Sequence, residues 1–230
     1  MSTIRKLVIA IDGPAGSGKT TIAARLARKL GYINLESGAM YRALALKAME
    51  QQTPLDDGEA LRKLAENTAI DLQPRGEGNR VLLDGRDVSQ RVRQADVTFA
   101  ASQVSGHPAV RRLMVTRQRA LGKDGGVVME GRDIGSVVFP DAGLKIFLTA
   151  SPEIRAERRW REHQQKGDSI DLARTLEEIH ERDRRDRERS ASPLVRAADA
   201  VIVDSTAMEP EEVARLVVML ARGQTVGRAK

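Results

Sequence analysis

Residues 13 to 20, Gly13-Pro14-Ala15-Gly16-Ser17-Gly18-Lys19-Thr20, match the pattern G-x-x-x-x-G-K-[ST] at every fixed position. The flanks are what such a loop requires. Before it, Leu7-Val8-Ile9-Ala10-Ile11 is an apolar run suited to a strand buried on both faces. After it, Ile22, Leu26 and Leu30 recur at four-residue spacing until Gly31 stops the helix. Strand, glycine-rich loop and helix N-terminus in that order predict a cradle for the phosphates of a nucleoside triphosphate. Unpaired backbone N–H groups and the positive end of the helix dipole favour anionic oxygens, Lys19 adds a charge for the β- and γ-phosphates, and the Thr20 hydroxyl is placed to ligate Mg²⁺. The glycines are expected to let the backbone wrap the ligand without Cβ clashes. The Lys19 side chain is expected in a solvent-filled loop while the site is empty.

Further along, Tyr32 to Leu35, Val127 to Met129, Leu144 to Leu148 and Val201 to Val203 are short apolar runs separated by helical patterns. Such alternation predicts an α/β fold, a parallel sheet covered by helices on both faces. Residues 68 to 92 break the rhythm. Ile70-Asp71-Leu72 and Arg80-Val81-Leu82-Leu83, joined by Gly-Glu-Gly-Asn at 76 to 79, read as a small antiparallel hairpin inserted on the substrate side. Asp84-Gly85-Arg86-Asp87 echoes Glu130-Gly131-Arg132-Asp133. The first copy reads as a type I′-like turn; the second follows a core strand, where folds of this kind place ligands.

At 230 residues the chain is long enough for one substantial core with appendages. It has no cysteine, which excludes a disulfide framework and a thiolate zinc site, and His107, His163 and His180 lack metal-ligand spacing. Mg²⁺ accompanying ATP is the expected metal. The apolar run at 7 to 11 is too short for a signal segment, and no stretch approaches the ~18 apolar residues of a membrane span. A cytoplasmic location without membrane association is the expectation. The net charge of +6, from 38 basic and 32 acidic residues, raises nucleic acid as a partner. Few aromatics and a late concentration of arginine argue against it, and an enzyme holding two anionic nucleotides needs positive charge anyway.

Phosphoryl transfer needs cations around the moving group. Arg42, beyond the second strand, and Arg132, beyond the third, are candidate clamps. In Glu181-Arg182-Asp183-Arg184-Arg185-Asp186-Arg187-Glu188-Arg189, helical projection puts Arg182, Arg185, Asp186 and Arg189 on one face. Asp183, Arg184, Arg187 and Glu188 fall elsewhere and read as mutually neutralising, solvated charges. Ser151-Pro152-Glu153 opens another helix, followed by Arg155, Arg158, Arg159 and Arg161 and closing at Lys166-Gly167-Asp168. This segment reads either as a lid over the phosphates or as an ordinary amphipathic helix anchored by Trp160.

Taken in order, these motifs resemble the bacterial cytidylate kinases. The resemblance rests on the N-terminal loop, Glu36-Ser37-Gly38-Ala39-Met40-Tyr41-Arg42, Ala101-Ser102-Gln103-Val104 with Arg111, Gly131-Arg132-Asp133-Ile134-Gly135 with Val138-Phe139-Pro140, and Glu181 through Arg189. It covers nearly the whole chain. Adenylate and shikimate kinases share the first of these motifs but not the others. The resemblance implies an ATP:(d)CMP phosphotransferase acting as a monomer. Its parts would be a core (1–36, 93–150 and 190–230), a part binding the nucleoside monophosphate (about 37–92) and a short helical lid (about 151–170). It implies ATP contacts at Gly13, Pro14, Ala15, Gly16, Ser17, Gly18, Lys19, Thr20, Thr21 and Arg158. Arg42, Arg132 and Arg189 would hold the acceptor phosphate, Ser37, Arg182 and Asp186 the ribose, and Ser102, Arg111 and Asp133 the cytosine. Lys19, Arg132 and Arg189 would carry the chemistry, with Thr20 on the metal. The base supports the last assignment, because a carboxylate beside a guanidinium reads the N4 donor and the N3 and O2 acceptors of cytosine, whereas uracil would turn O4 to the carboxylate. Glu130 stands where the family often has Asp, which leaves its part in metal binding open. Two other readings compete: a kinase for another small acceptor such as UMP or a sugar acid, and a P-loop switch or regulator. The switch reading lacks an N-K-x-D segment.

Overall fold

The computed structural model describes residues 6–75, 78–167, 169–189 and 191–227. Its backbone starts with β1 (Val8–Asp12), the glycine-rich loop and α1 (Lys19–Leu30), followed by β2 (Ile33–Glu36), α2 (Ser37–Glu50) and α3 (Gly58–Glu66). Three short strands come next, β3 (Ile70–Arg75), β4 (Gly78–Leu83) and β5 (Arg86–Asp87), then a 3₁₀ turn at Arg91–Arg93, α4 (Ala95–Val104) and α5 (Pro108–Gly122). The chain re-enters the core as β6 (Val127–Gly131), a π-helical turn at Ile134–Val138 and β7 (Leu144–Thr149). It ends with α6 (Pro152–Lys166), α7 (Leu172–Glu188), β8 (Val201–Asp204) and α8 (Pro210–Gly227).

Strands β2, β6, β1, β7 and β8 line up in that order in one parallel sheet, as the alternation of apolar runs predicts. The pleat sorts each run between two cores. Ile9, Ile11, Val128, Ile146 and Leu148 point toward α1 and α8. Ala10, Leu35, Val127 and Met129 point the other way, toward α2, α4 and α5. Both faces being covered is why these strands read as continuous apolar runs. Ile9 and Met129 have no exposed surface, so truncating either to alanine costs about 2–5 kcal/mol.

Helix boundaries follow local chemistry. Gly31 closes α1 in the left-handed conformation. Pro152 opens α6 behind Ser151, whose hydroxyl accepts from the Ile154 N–H at 3.3 Å. Asp171 caps α7 by accepting from the Arg174 N–H at 2.7 Å. Asp168, at the end of the basic segment, lies outside the described residues.

The insertion is antiparallel as predicted, with one strand more than a hairpin. Leu83 pairs with Arg86, and Asp84 (φ 49°) and Gly85 (φ 81°) form the two-residue turn between them. Positive φ at both positions suits a type I′ turn, so the first Asp-Gly-Arg-Asp copy is a piece of hairpin. Gly76 and Glu77 of the β3–β4 turn lie outside the described residues.

Candidate active site

The C-terminal ends of β1, β2 and β6 open on a cleft of about 190 Å³, walled on the far side by α4, α5 and α7. The glycine-rich loop forms its floor. Gly13 is required there by the fold before any ligand arrives: at φ 151° a Cβ on it would collide with the Leu148 carbonyl oxygen of the neighbouring strand.

Lys19 departs from expectation. Its side chain is buried rather than solvated, 5% exposed, and Nζ donates to the Pro14 carbonyl at 2.6 Å, with Ser17 Oγ at 3.5 Å. Burial, reinforced by the nearby Arg132 guanidinium, lowers its pKa to about 7. Beside it the Thr20 hydroxyl donates to Glu130 Oε1 at 2.9 Å. A hydroxyl and a carboxylate oxygen side by side at the phosphate loop fit a hard cation. Among the described residues no cluster of three or more His, Asp or Glu is disposed to hold a metal. That sparse donor set suits Mg²⁺, which keeps water and phosphate oxygens as most of its ligands.

The rest of the cleft is cationic. Lys19, Arg42, Arg111, Arg132, Arg182 and Arg189 line it against only three carboxylates, Glu130, Asp133 and Asp186, so it is built for anions. Arg42, on α2, has one nitrogen 3.1 Å from Glu36 Oε2, and its buried Nε has no partner. Glu36, at the end of β2, is 2% exposed and also takes Arg93 at 3.1 Å. Arg132 Nε reaches Asp186 Oδ2 at 2.7 Å. Burial pushes the Asp186 carboxyl up, but Arg132 and Arg182 outweigh it and hold the pKa below the carboxylate norm. Arg182 forms no hydrogen bond or ion pair among the described residues. Burial, with Arg132 opposite, lowers its pKa to about 10. Arg189, at the C-terminus of α7, donates through Nε to the Ser192 carbonyl at 2.6 Å and leaves a buried Nη2 unpartnered. Buried guanidinium donors without acceptors are costly, and an anionic ligand supplies what they lack.

At the far end Arg111 and Asp133 form a buried ion pair, and the Arg111 guanidinium lies over the Tyr41 ring, 5.4 Å from its centroid. Ser102 lines the same end. Ser37 opens α2 with its hydroxyl donating to the Glu130 carbonyl at 2.8 Å. All nine residues expected at the acceptor thus line this one cleft.

The ATP side is less uniform. Ala15, Gly16, Lys19 and Thr20 line the cleft, whereas Thr21 lies in the first turn of α1 outside it. Arg158 is not brought to the cleft. It donates to the Ser205 hydroxyl at 3.1 Å and the Ser205 carbonyl at 2.7 Å, tying α6 to the loop after β8. Arg185, on the predicted face of α7, turns to α4, stacking on Phe99 and reaching Ser102 Oγ at 3.4 Å. Asp183 is the clearest miss: expected in solvent, it is buried in an ion pair with Arg155. A helical wheel fails there because α6 packs on the side assigned to water.

Two further buried groups escaped sequence reading. Asp12, last in β1, accepts from the backbone N–H groups of Ile134 and Gly135 at 2.8 and 2.7 Å, fixing the π-turn after Arg132 and Asp133. Burial raises its pKa to about 6 despite those bonds. Glu36 is the other. A carboxylate ending each of two apolar strands was the available signal.

The sequence model of a family described as cytidylate kinase matches residues 9–223. The cytidylate kinase of Pelotomaculum thermopropionicum is 52% identical over 211 residues, 91% of this chain and 93% of that protein. That of Bacillus pumilus is 50% identical over 210 residues, again 91% and 93%. A Synechococcus protein named bifunctional pantoate ligase/cytidylate kinase is 46% identical over 221 residues, 95% of this chain and 41% of the longer protein. The matched region takes in every residue of the cleft, and the chain belongs to the cytidylate kinase family.

Proposed function

We propose that this protein transfers the γ-phosphoryl group of ATP to CMP and dCMP. The buried Arg111–Asp133 pair at the end of an otherwise cationic cleft carries the reading. A carboxylate accepts from the cytosine N4 amino group while the guanidinium donates to N3 or O2. A base with a carbonyl at that position meets the carboxylate unfavourably. The glycine-rich loop and Lys19 hold the donor phosphates. Arg42, Arg132 and Arg189 hold the acceptor phosphate, and Arg182 and Asp186 the sugar.

No general base is required. The acceptor phosphate has a second pKa near ~6 and is largely dianionic at neutral pH, so an oxygen lone pair attacks the γ-phosphorus directly as the bridging bond to ADP breaks. Lys19 and the arginines meet the charge that spreads over the equatorial and leaving oxygens. Thr20, with Glu130 adjacent, would hold Mg²⁺, which would supply charge neutralisation to the donor phosphates. Residues of about 37–92 form the acceptor part, about 151–170 the lid, and 1–36, 93–150 and 190–230 the core. No helix among the described residues is long and apolar enough to cross a membrane, and we place the enzyme in the cytoplasm as a monomer.

ADP formation with a panel of nucleoside monophosphates tests the reading. CMP and dCMP are expected to be turned over far faster than UMP, AMP or GMP, and equal rates with UMP and CMP would sink it. Asp133→Ala is expected to erode the discrimination by roughly 1 to 3 kcal/mol.

A further inference from the structure

Outside the cleft, the most completely bonded side chain near the phosphate loop is Arg155, in the first turn of α6, 2% exposed. Its Nε donates to the Ala150 carbonyl at 2.9 Å. Nη1 donates to the Ala15 carbonyl and to Asp183 Oδ1, each at 3.1 Å, and Nη2 to Asp183 Oδ2 at 2.7 Å. One guanidinium therefore binds the glycine-rich loop, the strand end before α6, and the middle of α7. Apolar packing reinforces the junction: Ala15 of the loop, Ala156 of α6 and Ile179 of α7 form a small buried cluster of their own.

Each end of this clamp bears on one phosphate. In a trans peptide the carbonyl and the next N–H point in opposite directions, so holding the Ala15 carbonyl toward α6 turns the Gly16 N–H the other way, into the cradle. Gly16 (φ 75°) is where the two backbones meet, since a Cβ there would lie 3.1 Å from both Cβ and the carbonyl oxygen of Arg155. On α7, Asp183 sits next to Arg182 and three residues before Asp186, both of which face the cleft. A shift of α7 against the loop changes the distance from donor to acceptor.

Resting on the function proposed above, we infer that Arg155 is a positioning residue for phosphoryl transfer. It fixes the donor loop at Ala15 and the acceptor helix at Asp183 to one spacing, and so sets the in-line distance between the two phosphates. In-line transfer is sensitive to this spacing: a displacement of about 1 Å can cost on the order of 10²-fold in rate.

A purely structural ion pair predicts something different, because a buried pair replaced by apolar side chains of similar volume often keeps or gains stability. The decisive variants are Arg155→Lys, which keeps the charge but cannot span Ala15 and Asp183 together, and the double change Arg155→Met with Asp183→Leu. Thermal unfolding, kcat at saturation with both substrates, and the two KM values are measured for each. The double variant is expected to unfold near the wild-type temperature yet lose roughly 10²-fold in kcat, with KM for CMP changed less than about threefold. Folded Arg155→Lys is expected to lose at least ~10-fold, which keeps the test decisive if the double variant fails to fold. Wild-type kcat in either folded variant overturns the role and leaves the CMP kinase reading standing. Absence of CMP-dependent ADP formation by the wild type overturns both.

Discussion

Lys19 is held in a setting that disfavours its charge. With no phosphate present, burial and Arg132 bring its pKa to about 7, well under the usual lysine value. A triphosphate reverses that balance, because its oxygens stabilise the ammonium. At pH 8 the phosphates are already ionised and the empty-site lysine is mostly neutral, so nucleotide binding should take up close to one proton. Titration calorimetry in buffers of different ionisation enthalpy reads this directly. Uptake should shrink toward pH 6 and vanish in Lys19→Met; binding heats independent of buffer at pH 8 would contradict it. The sign carries over to folding. An unfolded chain retains the proton that the folded site releases, so this group's contribution to stability rises with pH above about 7. In turnover, Lys19→Ala is expected to lower kcat by at least ~10²-fold with the fold intact, measured against unchanged far-UV dichroism. The motif made Lys19 legible, but neither its burial nor the nearby charge of Arg132, which follows a strand over a hundred residues away.

Helix α7 shows what a single element discloses and what it hides. Its 100° periodicity correctly sorts Arg182 and Asp186 toward the cleft and leaves Arg184 and Arg187 exposed. Alanine at Arg182, Asp186 or Arg189 should therefore cut kcat/KM for CMP severely while ATP binding stays nearly intact. Alanine at Arg184 or Arg187 should cost less than about fivefold, because exposed ion pairs contribute little. Steady-state kinetics on the five single variants decides it. Similar, mild effects at all five positions would make the helix a solvated surface and misplace the acceptor site. The periodicity did not reveal Asp183, because a carboxylate facing α6 and one facing water have the same local sequence. The pairing with Arg155, 28 residues earlier, exists only once the two helices pack. The central strands were easier to read: β1, β6 and β7 are covered on both faces, so each is a largely apolar run that needs no partner to be recognised. The two-residue β5 carries no such signal.

At the scale of the whole molecule, the small antiparallel sheet is tied to the core at the acceptor end of the cleft. Asn79 Oδ1 accepts from the Glu36 N–H and Asn79 Nδ2 donates to the Asn34 carbonyl, each at 2.8 Å, so one side chain of β4 completes the free edge of β2. Arg93, from the turn that follows the insertion, reaches the Glu36 carboxylate, which also holds Arg42. The sequence placed an insertion on the substrate side. It gave no sign of this attachment, since an asparagine beside a turn reads first as a turn residue. The link has a functional consequence, because the strand end it completes carries Ser37 and orients Arg42. Asn79→Ala leaves a buried backbone donor and acceptor without partners, which should cost about 1–3 kcal/mol of stability. Its kinetic effect should be one-sided: KM for CMP rises several-fold while KM for ATP stays within twofold, because the glycine-rich loop lies across the sheet on β1. Denaturant unfolding and paired substrate titrations of the one variant check both. If the two KM values rise together, the insertion is bracing the whole core. If neither moves while stability falls, the tie is a fastening with no part in holding the acceptor.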